Sequence, residues 1–114
     1  MNMRALLLLP LLAATAFAQV NAGDLANGKR LFMRNGCYQC HGTVGQGGLA
    51  GPRLAQTRLA QAGFVSYVRN PRPGNMPPYR SKVMTDQELA DVFAYLASLP
   101  PPVPLSSIPI LNQP

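Results

Sequence analysis

The chain has no tryptophan, one histidine, two cysteines and four acidic residues among its 114. Two cysteines exclude the multi-bridge disulfide framework of many small exported domains. Two cysteines and one histidine fall one ligand short of a four-coordinate structural zinc site, and no second cluster fills the gap. Aromatics make up only 7% of the chain and glycine supplies ten residues. That is a thin stock for the core of a domain this small, so something other than side chains should help fill the interior.

Negative charge is scarce too. Ten Lys and Arg against four Asp and Glu give a formal charge of +6. There is no basic run and no RNA-binding aromatic motif, so no nucleic-acid partner is expected. An acidic protein partner or an anionic surface fits the charge better. Arg69, Arg72, Arg80 and Lys82 form one group of cations, and Lys29, Arg30 and Arg34 another. The plain alternative is that they are solvated surface charges.

A long apolar run is also missing. Ala5 to Ala18 is apolar but short and interrupted by Pro10, below the roughly 20 residues that span a bilayer. Arg4 precedes it, and Ala16-Phe17-Ala18 offers small residues where a signal peptidase reads. The expected organisation is a signal peptide at 1–18, one domain at 19–99 and a proline-rich tail at 100–114. Export without stable membrane insertion after cleavage follows.

Within the domain the patterns are helical. Asp24 reads as the N-cap of a first helix carrying Leu25, Gly28, Leu31 and Phe32 at helical spacing, stopped by Asn35-Gly36. "GTVGQGGLAGPRL" is too glycine-rich for a helix or a central strand. A second helix runs through Phe64, Val65 and Val68 to Asn70-Pro71. "NPRPGNMPPYRS" must be extended or turned, because proline removes donors and fixes φ. Thr85-Asp86-Gln87-Glu88 is a capping box, with Met84 placed to staple onto Leu89. The helix it opens carries Leu89, Val92, Phe93, Leu96 and Leu99 as one apolar stripe, ended by Pro100. The last fifteen residues hold half of the twelve prolines and read as an extended tail. Its apolar residues either pack on the domain or dock on a partner. No strand pattern appears, so the expected class is all-α.

Both cysteines and the histidine fall in one pentapeptide, Cys37-Tyr38-Gln39-Cys40-His41. A thioredoxin-like dithiol needs a βαβ pattern that is absent. A disulfide is permitted in an exported chain but would close too short a loop to stabilise much. Covalent haem attachment is the remaining reading: two thiols three apart each add across a haem vinyl group, and the adjacent His41 donates a ring nitrogen to iron. A neutral thioether in the sixth position would favour the ferrous state. Among the methionines beyond residue 18, Met33 reads as core packing and Met84 as the staple. Met76, in "PGNMPPY", is presented from a stiff loop and is the candidate ligand.

Taken in order, Gly28-x-x-x-Phe32, Cys37-x-x-Cys40-His41, Gly51-Pro52-x-Leu54, Met76-Pro77-Pro78-Tyr79 and "DVFAYLASL" resemble the class I c-type cytochromes, particularly short periplasmic bacterial ones. The resemblance runs from about Asp24 to Leu99. It implies an all-α, cytochrome c-like fold, a small helical domain wrapped around one covalently bound haem c, with first and last helices crossing at Gly28 and Phe32 packing toward Val92 and Tyr95. It implies thioether bonds at Cys37 and Cys40, His41 as proximal ligand and the Pro52 carbonyl as acceptor for its other ring nitrogen. Leu54 would pack on the proximal face and Met76 would ligate from the distal side. Arg69, Arg53 and Tyr79 are candidate donors to the haem propionates.

The implied function is one-electron transfer between periplasmic or membrane redox proteins (a dehydrogenase, a bc-type complex, an oxidase or reductase) by a carrier that is not itself an enzyme. A dedicated electron-accepting subunit of a periplasmic dehydrogenase is the first alternative. A haem sensor or enzyme with a labile distal ligand and a haem-free dithiol protein are the others.

Overall fold

Asp24 opens the first element as its position predicts. Its carboxylate accepts the Asn27 amide at 2.9 Å, satisfying one of the free donors at a helix start. A computed structural model describes residues 23–113; the expected signal peptide lies outside the described residues. Helix α1 spans Leu25–Arg34, α2 Cys37–His41, α3 Gln61–Arg69 and α4 Asp86–Ser98. Among the described residues there is no strand, only an isolated bridge between Gly48 and Gly51. The all-α expectation holds.

The capping box of α4 forms in full: the Glu88 amide donates to the Thr85 hydroxyl at 3.1 Å, and the Thr85 amide to the Glu88 carboxylate at 2.8 Å. Met84 and Leu89 are both 1% exposed, as a staple requires. Leu31 and Phe32 from α1, Phe64 and Val68 from α3, and Leu89, Val92, Tyr95 and Leu96 from α4 build the core with Met84. Each such side chain taken fully from water stabilises the fold by roughly 1.5–3 kcal/mol. Two expectations on α1 fail. Leu25 is half exposed and Met33 lies at the surface, because α1 meets the core along the narrower line of Gly28, Leu31 and Phe32.

That line is where α1 crosses α4. A Cβ built on Gly28 would sit 2.0 Å from the Asp91 carbonyl oxygen and 2.9 Å from the Tyr95 Cβ. Only glycine permits the approach. One turn on, Phe32 and Tyr95 pack with ring centroids 5.8 Å apart, as the family resemblance implies.

Asp91 locks the crossing, and nothing in its sequence context announces that role. Buried on α4, its carboxylate accepts the Asp24 amide (2.9 Å), the Asn27 side-chain amide (2.7 Å) and the Gln87 side-chain amide (3.1 Å). Burial by itself would raise this carboxyl, but the donors from Asn27, Asp24 and Gln87 outweigh it and hold it below the usual carboxylate value. A depressed folded-state pKa contributes stability that is complete above the unfolded value of about 3.9 and is lost as pH falls through the folded value. Asp91→Asn should therefore cost about 2 kcal/mol at pH 7 by turning an acceptor into a donor among donors. The gap from the wild type should narrow below pH ~4. Melting curves at pH 7 and pH 3 check this; a gap independent of pH would deny the carboxylate its role.

The tail corrects an expectation. Instead of running extended, residues after Pro104 form two 3-10 turns, Leu105–Ser107 and Pro109–Leu111. Pro109 starts the second turn, where its fixed φ suits a helical start. The Asn112 side-chain amide donates to the carbonyls of Leu105, Ser106 and Ile108, tying both turns together. Neither turn packs on a helix, and Val103, Leu105, Ile110 and Leu111 are exposed.

Candidate functional site

Helix α2 is a single turn, so Cys37 and Cys40 project from one face with His41 beside them. Both thiols are free, Cys37 half-buried and Cys40 exposed. Burial pushes the Cys37 thiol up, against its own backbone and the Tyr79 hydroxyl, which pull it down. Tyr79 is likewise raised, first by burial and then by the neighbouring Cys37. Among the described residues no three His, Cys, Asp or Glu side chains converge so as to hold a metal ion by themselves.

His41 is buried, and its Nδ1 lies 2.8 Å from the Pro52 carbonyl oxygen. A carbonyl can only accept, so Nδ1 carries the proton and the Nε2 lone pair is left free to ligate. The loop that brings Pro52 here is fixed from both ends: the Gly47 amide donates to the His41 carbonyl, and the Leu54 and Ala55 amides both donate to the Gly45 carbonyl. Close approach explains Gly51, where a Cβ would lie 2.9 Å from the His41 Nδ1 and 3.0 Å from the Cys40 carbonyl oxygen.

Cys37, Cys40, His41, Pro52, Leu54, Met76 and Tyr79 all line one cavity of about 940 Å³, and so does Arg53. Phe32, Phe64, Val68, Val92 and Leu96 supply its apolar floor. Cofactor pockets typically measure roughly 300–1,000 Å³ with apolar walls and a few placed polar groups. The residues present fit a haem: two free thiols on one helical turn, an imidazole with one nitrogen tied and one free, and a thioether share an apolar cavity. The thin aromatic core is explained as well, since α1, α3 and α4 meet around this space rather than filling it.

Arg69 stands apart from the cavity wall. Its guanidinium donates to the Tyr79 carbonyl at 2.6 Å and pairs with the Asp86 carboxylate. It pins the end of the Met76 loop instead. Tyr79 is held three ways, through Arg69, through its amide to the Val68 carbonyl (3.1 Å) and through its hydroxyl to the Asn35 carbonyl (2.8 Å). Met76 is thus carried on a loop anchored to both α3 and the end of α1.

Polar groups that sequence reasoning missed also line the cavity: Thr57, Tyr67 and Asn75. The Asn75 side-chain amide lies 3.4 Å from the Tyr67 hydroxyl. Tyr67 could have been found, because it is three residues from Phe64 and so shares its helical face. Met84 reaches the cavity as well as the core.

Residues 23–96 match the profile of the family described as "Cytochrome C oxidase, cbb3-type, subunit III". The chain is 34% identical over 79 residues to the cbb3-type cytochrome c oxidase subunit CcoP of Rubrivivax gelatinosus, covering 66% of this chain and 26% of that protein. It is 29% identical over 94 residues to cytochrome c-555 of Methylococcus capsulatus (strain Bath), covering 81% of this chain and 76% of that one. This chain therefore spans about a quarter of the length of the first relative and three quarters of the second. No solved structure gives a significant match. With nearly the whole helical domain inside the matched span, the chain belongs to the cbb3-type subunit III family of c-type cytochromes, whose cofactor is covalently bound haem c.

Proposed function

We propose that the chain is an exported mono-haem electron carrier, passing single electrons between redox proteins and not itself an enzyme. The observation that carries this is the convergence of Cys37, Cys40, His41 and Met76 on one apolar cavity, with His41 already oriented by Pro52. Bound there, haem supplies a one-electron Fe(III)/Fe(II) couple. Cys37 and Cys40 would hold it covalently. His41 would ligate through Nε2, with the Pro52 carbonyl keeping the tautomer and ring angle fixed. Met76 would supply a neutral thioether, which favours the reduced state. Leu54, Phe64 and Val92 would shield the haem from water, and Arg53, Thr57, Tyr67, Asn75 and Tyr79 are among the polar side chains of the cavity wall available to its carboxylates.

If His41 and Met76 both held the iron, no coordination position would be left for a substrate. That supports a carrier over the sensor or enzyme alternative. Periplasmic residence fits the predicted signal peptide, and no described helix is long and apolar enough to cross a membrane. The likeness to a protein named as a cytochrome c-555 also supports the carrier reading.

A second reading, a permanent cytochrome subunit, is favoured by a different observation: the tail holds four exposed aliphatic residues that the domain leaves uncovered. The relative named as an oxidase subunit points this reading toward an oxidase more than toward a dehydrogenase.

The visible spectrum of protein exported in a host with haem-attachment machinery tests the proposal. A sharp α-band on reduction and a weak far-red methionine–ferric band on oxidation are expected. Covalent haem without the far-red band would bring the sensor or enzyme reading forward. A colourless protein with two reactive thiols would overturn the haem assignment.

A further inference from the structure

On the other side of the Met76 loop lies a second concavity, an open cleft of about 970 Å³. Arg72 and Arg80 line it with Lys82 and Arg69, and no acidic residue does. Arg69 is neutralised by Asp86, the sole ion pair among the described residues. Arg72, Arg80 and Lys82 are exposed and have no carboxylate partner there.

The remaining carboxylates cannot answer this charge. Asp24 caps α1, Glu88 closes the capping box of α4, and Asp91 holds three donors at the helix crossing. All the acidic residues of the chain are therefore in use at the starts of α1 and α4 or at their crossing. Three positive charges are left along a concave wall that prolines and two tight turns stiffen, closed by the Asn75 amide to the Arg72 carbonyl and the Val83 amide to the Arg80 carbonyl. The second group of cations differs. Lys29, Arg30 and Arg34 lie on the exposed side of α1, and Arg30 is bonded to Asn27. The mouth of the haem cavity differs again, being edged by exposed aliphatics, Leu49 above all.

We infer that the Arg72–Arg80–Lys82 cleft is the docking site for a carboxylate-rich segment of a redox protein partner. Because it rests on the electron-carrier reading, the partner is taken to be a redox protein. Met76 lines both the cleft and the haem cavity, so a partner seated in the cleft lies against the loop that carries the proposed axial ligand. Like charges would keep cationic proteins away, and attraction between opposite charges would speed encounter at low salt. The apolar cavity mouth stays free for a second contact of different chemistry.

The test is a titration of oxidised, isotope-labelled holoprotein with poly-L-glutamate, followed by amide chemical shifts. Shifts should centre on residues 69–74 and 78–82 and weaken with added salt. The double substitution Arg80→Glu with Lys82→Glu should lower affinity roughly tenfold or more, with the visible spectrum and Tm unchanged. Leu49→Asp should leave the titration as it was. Shifts centred on Lys29 to Arg34, or unaltered affinity in the double variant, would overturn the inference. So would inorganic pyrophosphate binding at the cleft as tightly as the polypeptide, which would make it a small-anion site. Since the titration involves no electron transfer, an absent redox couple would sink the carrier reading without touching this result, and failed binding would leave the carrier reading intact.

Discussion

Gly28→Ala should lower the stability of the holoprotein by about 3 kcal/mol or more, equivalent to a fall in Tm of roughly 12–24 °C for a domain this size. Two effects oppose each other. Alanine is the better helix former by up to about 1 kcal/mol, and an exposed glycine would be improved by the change. Here the added methyl would sit 2.0 Å from a backbone oxygen of α4 and 2.5 Å from its carbonyl carbon. A backbone atom cannot rotate aside as a side-chain end can, so the two helices must separate. Separation lengthens the bonds from Asp24 and Asn27 to Asp91 and pulls Phe32 from Tyr95. The clash wins because it acts on all of these contacts together. Thermal melts of Gly28→Ala beside Lys29→Ala, an exposed control on the same helix, decide the matter. A Gly28→Ala protein within 1 kcal/mol of wild type would mean that the crossing is not locked at this point.

Met76→Ala should have the largest effect on the site. Haem should remain attached, because Cys37 and Cys40 are untouched. The far-red methionine–ferric band should vanish, and carbon monoxide should bind the ferrous protein without denaturant. Loss of a neutral thioether should lower the reduction potential by more than the roughly 59 mV that corresponds to a tenfold one-electron equilibrium. Met84 provides the internal comparison, since it also reaches the cavity but is 1% exposed and packed on Leu89. Met84→Ala should cost core stability, about 2–5 kcal/mol, and keep the band. The reverse pattern, with the band surviving in Met76→Ala and lost in Met84→Ala, would move the ligand to Met84.

The difference between Met76 and Met84 shows where sequence reasoning succeeds. Met84 precedes a capping box, a local pattern whose staple geometry follows from four residues of sequence. Met76 sits among prolines and glycine, so its loop could be recognised as stiff. Where the loop is tied down could not be read, because its anchors at Val68, Arg69 and Asn35 are distant in sequence. Arg69 is the clearest case. As a cation near Met76 it was a reasonable donor to a propionate, yet the fold places it between Tyr79 and Asp86, as a brace for the loop. The tail shows the same limit at short range. Proline content predicted extension, and the bonds from one asparagine, Asn112, turned it into two 3-10 turns.

What depends on neighbours along the chain was legible before folding: the capping of α1 and α4, the loop character of residues 42–54, the thiols and imidazole of α2, and the Gly51-Pro52 step beside His41. These are local because helix caps, turn residues and ligand spacing act within a few residues. Three features emerge only in the folded chain: Asp91 buried among three donors, Leu25 and Met33 facing solvent, and unpaired cations lining a cleft behind Met76. The first two depend on how α1 and α4 cross, and a crossing is set by close packing between residues far apart in sequence. The cleft is lined by residues 69–82 alone and depends on how the bonds of Arg69 and Tyr79 hold that segment.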